Sequence, residues 1–268
     1  MIPMGWAVND DNAVSETLGY ILIFMIVLTC IAFILLAGNG VLDSTKAQNN
    51  FKSMEQGLTI VSSDLTQVAL EGTPVKTTRI HMEGGSVSAK ADAASQITIT
   101  YPDTNFTNNP YPASNTGRIM FTSDKDNGIV SIENGGLWEK QGVSNGDIAV
   151  LKPHIYETVD PATHAQTLVL NIIKLDANPE SSIGGSATMD VKLSYEQTRV
   201  YSYDASNAPT GKDVGITFDT KYPNAWERFF KEIDPSATVS HSDTQVTATF
   251  PQVSKLIISE HTVGVLIN

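Results

Sequence analysis

Leu18–Ala37, LGYILIFMIVLTCIAFILLA, decides the reading of this chain: it is almost wholly apolar and sits in a charge-free interval running from Thr17 to Leu42. About twenty helical residues rising 1.5 Å each span roughly 30 Å, the thickness of a bilayer's hydrocarbon core. Buried helices of soluble cores seldom stay uncharged over such a length, so insertion in a membrane is expected. Cys30 lies inside the run and reads as one more small apolar residue. A secretory signal peptide would show a basic leader and a shorter apolar run followed by a small-residue cleavage site. Here residues 1–45 hold no Lys or Arg, and the run passes into further helical sequence. The segment is therefore expected to be retained, with any cleavage falling before it. Charge does not settle orientation. Lys46 and Lys52 follow the span, which read literally puts the C-terminal part in the cytoplasm, but they are interleaved with Asp43 and Glu55.

Beyond Gly38-Asn39-Gly40, apolar residues recur at Ala47, Phe51, Met54, Leu58, Val61, Leu65 and Val68, in alternating steps of four and three. That spacing is the stripe of an amphipathic helix. Lys52, Glu55, Gln56 and Asp64 fill the other faces, and Glu71-Gly72-Thr73-Pro74 supplies a stop. One helix from about Ser15 to Leu70 is predicted, with Gly38 and Gly40 as points where it can bend. The stripe Phe51, Met54, Leu58, Val61 and Leu65 is expected to pack against the domain that follows, which leaves the upper helix available to neighbouring subunits.

After Pro74 the period changes from helical to two. Strands are predicted at 97–101, 118–121, 129–132, 147–151, 167–173, 188–193, 245–250, 255–258 and 262–267. Asn127-Gly128, Asn134-Gly135 and Asn145-Gly146 mark tight turns, the second inside a hairpin of 129–133 and 136–140 with Trp138 packing across it. A short helix is predicted over Tyr222–Ile233, capped by Asn224, ended before Pro235, and lying on a sheet through Trp226, Phe229, Phe230 and Ile233. Residues 102–117, 176–187 and 204–213 read as loops.

Composition excludes several function classes. The 268 residues carry 17 Lys+Arg against 29 Asp+Glu, a net charge of −12, which argues against nucleic acid as a partner. With 41% hydrophobic and 17% charged residues the chain is not a disordered polymer. A single cysteine rules out an intrachain disulfide framework. His81, His154, His164, His241 and His261 form no i,i+4 pair, and no nucleophile elbow, Walker loop or dinucleotide fingerprint occurs. Neither a catalytic site nor a cofactor is expected. Asp124 and Asp126, before Gly128, resemble part of a calcium loop, but the glycine comes one position early and an acidic hairpin turn is the preferred reading. Asn105 heads the only glycosylation sequon, Asn105-Phe106-Thr107.

A short polar leader, then Val14-Ser15-Glu16-Thr17-Leu18-Gly19, then the apolar run continuing as a long helix, resembles archaeal type IV pilin-like proteins. The soluble part resembles uncharacterised archaeal members from Gly135-Gly136-Leu137-Trp138, through Gly184-Gly185-Ser186-Ala187 taken as a turn, to Trp226-Glu227-Arg228-Phe229-Phe230. The resemblance implies an α+β, pilin-like fold: a long N-terminal helix, transmembrane then amphipathic, packed on an antiparallel β-rich domain. It implies a leader or tail at 1–13, a membrane helix at 14–40, a helical extension at 41–72 and an extracytoplasmic β-domain at 73–268. A prepilin peptidase would cut around Asp11, Asn12, Ala13 and Val14. The helix would first sit in the lipid bilayer of the cell membrane and later pack against like subunits in a surface filament, with Glu16 paired to a neighbour's terminal amine. A buried carboxylate needs such a partner, or else stays at the interface on the helix N-terminus with Ser15 as cap. Family leaders carry Lys or Arg before the cut, and this one has Asn9-Asp10-Asp11-Asn12. The alternative is therefore a non-polymerising, single-pass envelope protein whose β-domain binds a ligand or partner.

Overall fold

A computed structural model of the protein describes residues 11–91, 95–101, 111–125, 127–142, 146–204 and 211–268, with the side chains of 11–16 and 37–43 left aside. The chain divides into two compact units, 1–49 and 50–268. Helix α1, Asp11–Leu70, belongs to both. It starts a few residues before the predicted Ser15 and ends where predicted: Gly72 takes φ +73°, a left-handed position that costs glycine nothing.

The second unit carries thirteen strands: β1 (Val75–Lys90), β2 (Gln96–Thr100), β3 (Ser114–Asn115), β4 (Arg118–Thr122), β5 (Ile129–Glu133), β6 (Gly136–Lys140), β7 (Asp147–Leu151), β8 (Ile155–Val159), β9 (Gln166–Asp176), β10 (Ser181–Asp204), β11 (Lys212–Asp219), β12 (Thr238–His241) and β13 (Gln245–Ile267). Helix α2, Pro223–Ile233, lies between β11 and β12. The strands join in one sheet of order β3-β2-β11-β13-β10-β1-β4-β5-β6-β7, with β12 and β9 also on β13 and β8 on β9.

The architecture is α+β, and the β-rich region is largely antiparallel. Its exception is the pairing of β9 with β13, which is parallel. The three segments predicted at 245–267 are one strand of 23 residues. The loop predicted at 176–187 is also corrected. Ser181–Ala187 is strand, and Gly184-Gly185 is not a turn but lies opposite the β1 bulge at Gly84-Gly85.

Alternation along β13 sends side chains to opposite faces, so this one strand serves two cores. Val263, Val265 and Ile267 join a core with Met82, Phe121, Ile132, Val191 and the stripe of α1. Leu256 and Ile258 join the other, with Phe218, Phe250, Trp226 and Phe230. Trp226 is stacked between Trp138 and Phe218 at 4.3 Å on either side.

The predicted hairpin is present. Asn134 and Gly135 take φ +50° and +75°, the pair of positive values that a two-residue turn of the favoured hand requires. Its tip is wedged in place. A Cβ on Gly135 would lie 2.7 Å from Ile173 Cδ1, Ser62 of α1 donates to the Gly135 carbonyl at 3.0 Å, and Asn134 Oδ1 accepts the Ile173 N–H at 2.8 Å. The expected cap of α2 is different. Pro223 occupies the first turn and Tyr222 is the N-cap without a side-chain bond, while the Asn224 N–H donates to Asp147 Oδ2 at 3.1 Å. A carboxylate from β7 thus does what a local cap would have done.

Candidate functional site

The first candidate surface is the apolar length of α1. Thr17–Leu36 is long and apolar enough to cross a membrane, and none of that window is buried within the chain. Exposure reaches 70% at Phe33 and 79% at Leu36. Water is a poor solvent for a continuous apolar helix of this length, so the segment needs lipid or other helices around it. Thr29 Oγ1 donates to the Met25 carbonyl at 2.7 Å, which removes a polar cost of burial in lipid. Cys30 is exposed on the same helix. Asp11, Asn12, Ala13, Val14 and Glu16 fall in the first turns of α1, and their side chains lie outside the described residues.

The lower stripe of α1 is already occupied. Met54, Leu58, Val61 and Leu65 are fully buried, and Phe51 nearly so, all in the core beneath the sheet. Polar contacts fix the docking. Asn50 Nδ2 donates to the Gly84 carbonyl at 2.9 Å and its Oδ1 accepts the Glu83 N–H at 3.0 Å, holding the β1 bulge. Asp64 accepts from Thr78 Oγ1 and pairs with Lys76 at 3.4 Å. This surface is committed inside the subunit.

The candidate ligands are not brought together. Asp124 Oδ2 accepts the Gly85 N–H at 2.7 Å and so serves the same bulge, while Asp126 and the sequon residue Asn105 lie outside the described residues. Among the described residues no group of three His, Cys, Asp or Glu side chains is placed to hold a metal ion. The histidines are separately engaged: His81 Nδ1 with Thr188 Oγ1 at 3.0 Å, His154 Nε2 with Thr66 Oγ1 at 3.4 Å, His241 with Glu227 at 3.1 Å, and His261 Nδ1 with Thr198 Oγ1 at 2.9 Å. Burial holds the His154 and His261 rings below the usual histidine range.

Sequence reasoning missed the buried polar groups. Glu133 Oε2 accepts from Thr220 Oγ1 at 2.7 Å, and its other oxygen lies 3.8 Å from Arg118 Nη1. Thr220 Oγ1 in turn accepts the Tyr222 N–H at 3.1 Å, and Ser131 Oγ donates to Tyr222 Oη at 2.9 Å. All five side chains are buried, and burial followed by the Glu133 charge pushes the Tyr222 phenol up. These contacts set two opposite charges side by side in the interior, where their attraction offsets part of the cost of burying them. Tyr111 likewise donates to the buried Glu260 Oε2 at 2.7 Å, and burial, then this bond, raise its phenol. Arg118 and Glu133 face each other on the neighbouring strands β4 and β5, whereas Ser131 with Tyr222, Thr220 with Glu133 and Tyr111 with Glu260 join residues far apart in the chain, which nothing in the local sequence marks.

Surface clefts are shallow and mixed in character. One of about 330 Å³ lies among Asp176, Asn178, Lys192, Ser194 and Glu196, where burial and then Asp176 raise the Glu196 carboxyl. Another, about 300 Å³, lies between β8 and α2, lined by Lys152, Ile155, Tyr156, Glu157, Phe229 and Ile233.

An uncharacterised protein of Archaeoglobus fulgidus is 24% identical to this chain over 276 aligned positions, spanning 88% of this chain and 89% of its own. No solved structure is significantly similar. A family model described as a family of unknown function, DUF7289, matches residues 12–266, the apolar helix and the β-domain together. By that match the chain belongs to DUF7289.

Proposed function

We propose that this chain is a pilin-like, membrane-anchored surface protein, with Thr17–Leu36 in the bilayer and the β-domain outside the cell. One observation carries the reading: an exposed apolar helix of membrane-spanning length that continues, within α1, into a stripe buried under the protein's own sheet. The role is structural and no catalytic step is assigned. The apolar helices leave lipid and bury against one another in a filament after a prepilin peptidase has removed the leader. That transfer is nearly neutral in hydrophobic terms, so close packing and the pairing of Glu16 supply selectivity. The leader, Asn9-Asp10-Asp11-Asn12 without a basic residue, favours the second reading of an unprocessed single-pass envelope protein.

Intact mass and N-terminal sequencing of protein extracted from native membranes separate the two. A new terminus between Asn12 and Val14 supports the pilin reading, and a chain beginning at Met1 or Ile2 supports the tethered one. Anchoring itself is tested by Ile26→Arg. A charge at mid-span raises the cost of insertion by about 3 kcal/mol, so the variant is expected to leave the carbonate-resistant membrane fraction. Wild-type protein released by carbonate would refute both readings.

A further inference from the structure

Among the described residues the sheet has open edges. Strands β10, β13, β9 and β8 form a four-stranded ribbon. Pairing of β1 with β10 stops at Val75–Ser194, followed by one bond from the Tyr195 N–H to the Pro74 carbonyl. Among the described residues no strand flanks β10 beyond that point, and β8 pairs with β9 alone. Residues 195–200 are all exposed. Outside the membrane helix, Val200 is the most exposed large hydrophobic of the described residues, at 65%, and Tyr156 and Val159 on β8 stand at 47% and 52%. Unpaired strand edges with exposed β-branched and aromatic side chains are templates for another strand.

The two edges complement each other. Arg199 pairs with Glu260, Glu260 with Ile172, and Leu168 two steps down β9 on alternate positions pairs with Glu157. Arg199 and Glu157 therefore share a face. By the same registers Val200, Ser259, Asn171, Val169 and Tyr156 share the opposite face. The β8 edge carries Glu157, whose carboxyl burial and then the Asp234 charge hold above its ordinary range. The β10 edge offers the exposed guanidinium of Arg199, which donates to the neutral Gln197 Oε1 at 3.3 Å. Directions match as well. β10 and β8 both run against the β13–β9 pair, so a copy moved along the ribbon sets its β10 parallel to β8.

We propose that the β10 edge of one copy adds in parallel to the β8 edge of the next, with Arg199 against Glu157 and Val200 against Thr158 and Tyr156. In this register Tyr201 meets Val159, and the copies are staggered by four residues, about 13 Å. A contact between two different edges with a stagger builds an open array rather than a closed dimer. The inference rests on the filament reading for bringing copies side by side, and it concerns the β-domains rather than the helices.

The test uses full-length protein in native membranes, in a Cys30→Ala background, with a short bis-maleimide. Thr158→Cys combined with Val200→Cys, both at exposed positions, is expected to give a ladder of dimers, trimers and higher forms. Either cysteine alone is expected to give none. Adding Glu157→Lys cuts the ladder about tenfold or more, and Arg199→Glu in the same chain restores it. A dimer from Val200→Cys alone would mean that like edges pair, and would overturn the proposal. Ile26→Cys in the same background reads helix contact independently. Cross-linking there with no ladder from the edge pair sinks the edge contact alone. A ladder without helix cross-links upholds the edge contact and sinks helix packing, and monomers throughout sink both.

Discussion

Replacing Leu58 by Ala tests whether the stripe of α1 is a core element of the β-domain. Leu58 is fully buried beside Met54, Val61 and Ile80. The helix has no room to settle into the vacated space. At the neighbouring Gly57 a Cβ would already stand 2.9 Å from Ile80 Cγ2, so the α1 backbone already lies close against β1. A cavity that cannot collapse puts the cost in the upper part of the range for buried leucines, roughly 3–5 kcal/mol. At about 2–4 °C per kcal/mol for a domain of this size, the midpoint of thermal unfolding should fall by roughly 6–20 °C. The control lies two residues away on the same helix. Ile60 is 55% exposed, and Ile60→Ala should stay within about 0.5 kcal/mol of wild type. Fluorescence of the buried Trp138 and Trp226 in detergent-solubilised full-length protein reports the transition. Equal shifts for the two variants, or a fall of less than 2 °C for Leu58→Ala, would refute the docking.

Tyr111→Phe strips the buried Glu260 of its 2.7 Å donor, and leaving that acceptor unsatisfied should cost about 1–3 kcal/mol; the same thermal assay reads it, and an unchanged midpoint would show that the bond adds nothing. The half-buried ring of His154 and the buried ring of His261 bind protons less readily folded than unfolded. Their contribution is therefore complete above the ordinary histidine value near 6.5 and is lost as pH falls below it. Between pH 8 and 5 the wild-type midpoint should fall further than that of the His154→Gln, His261→Gln double variant, and parallel curves would count against it.

Elements whose signals are local were legible. The apolar run, the four-and-three stripe, the Gly72 stop and the Asn134-Gly135 hairpin each depend on residues within one turn or one strand. What was not legible depends on distant partners. Strand β1 was not predicted because its outward face is polar and Gly84-Gly85 interrupt its alternation, whereas Asn50 and Asp124 hold those glycines as a bulge. β13 was broken into three pieces by Pro251-Gln252 and by the buried Glu260 and His261, polar residues tolerated because Tyr111 and Thr198 reach them. The N-terminus of α2 was misread at Asn224 because its acceptor, Asp147, comes from β7. The parallel pairing of β9 with β13 has no sequence signature, since either direction presents the same alternation.

The fate of the stripe narrows how copies of this chain can meet. A heptad-like spacing invites a coiled coil, yet Phe51, Met54, Leu58, Val61 and Leu65 are spent on the sheet, and drawing them out would cost several kcal/mol at each position. In the filament reading proposed above, lateral association would then draw on the exposed apolar face of Thr17–Leu36 and on the strand edges. These ask for different surroundings. Helix packing in lipid depends on shape, because leucine against leucine gains little over leucine against a lipid tail. Edge pairing in water depends on backbone hydrogen bonds and a matched charge such as Arg199 with Glu157. Glu157→Lys should therefore weaken edge pairing and leave helix packing in lipid as it was, read as a lost edge ladder with Ile26→Cys cross-links retained.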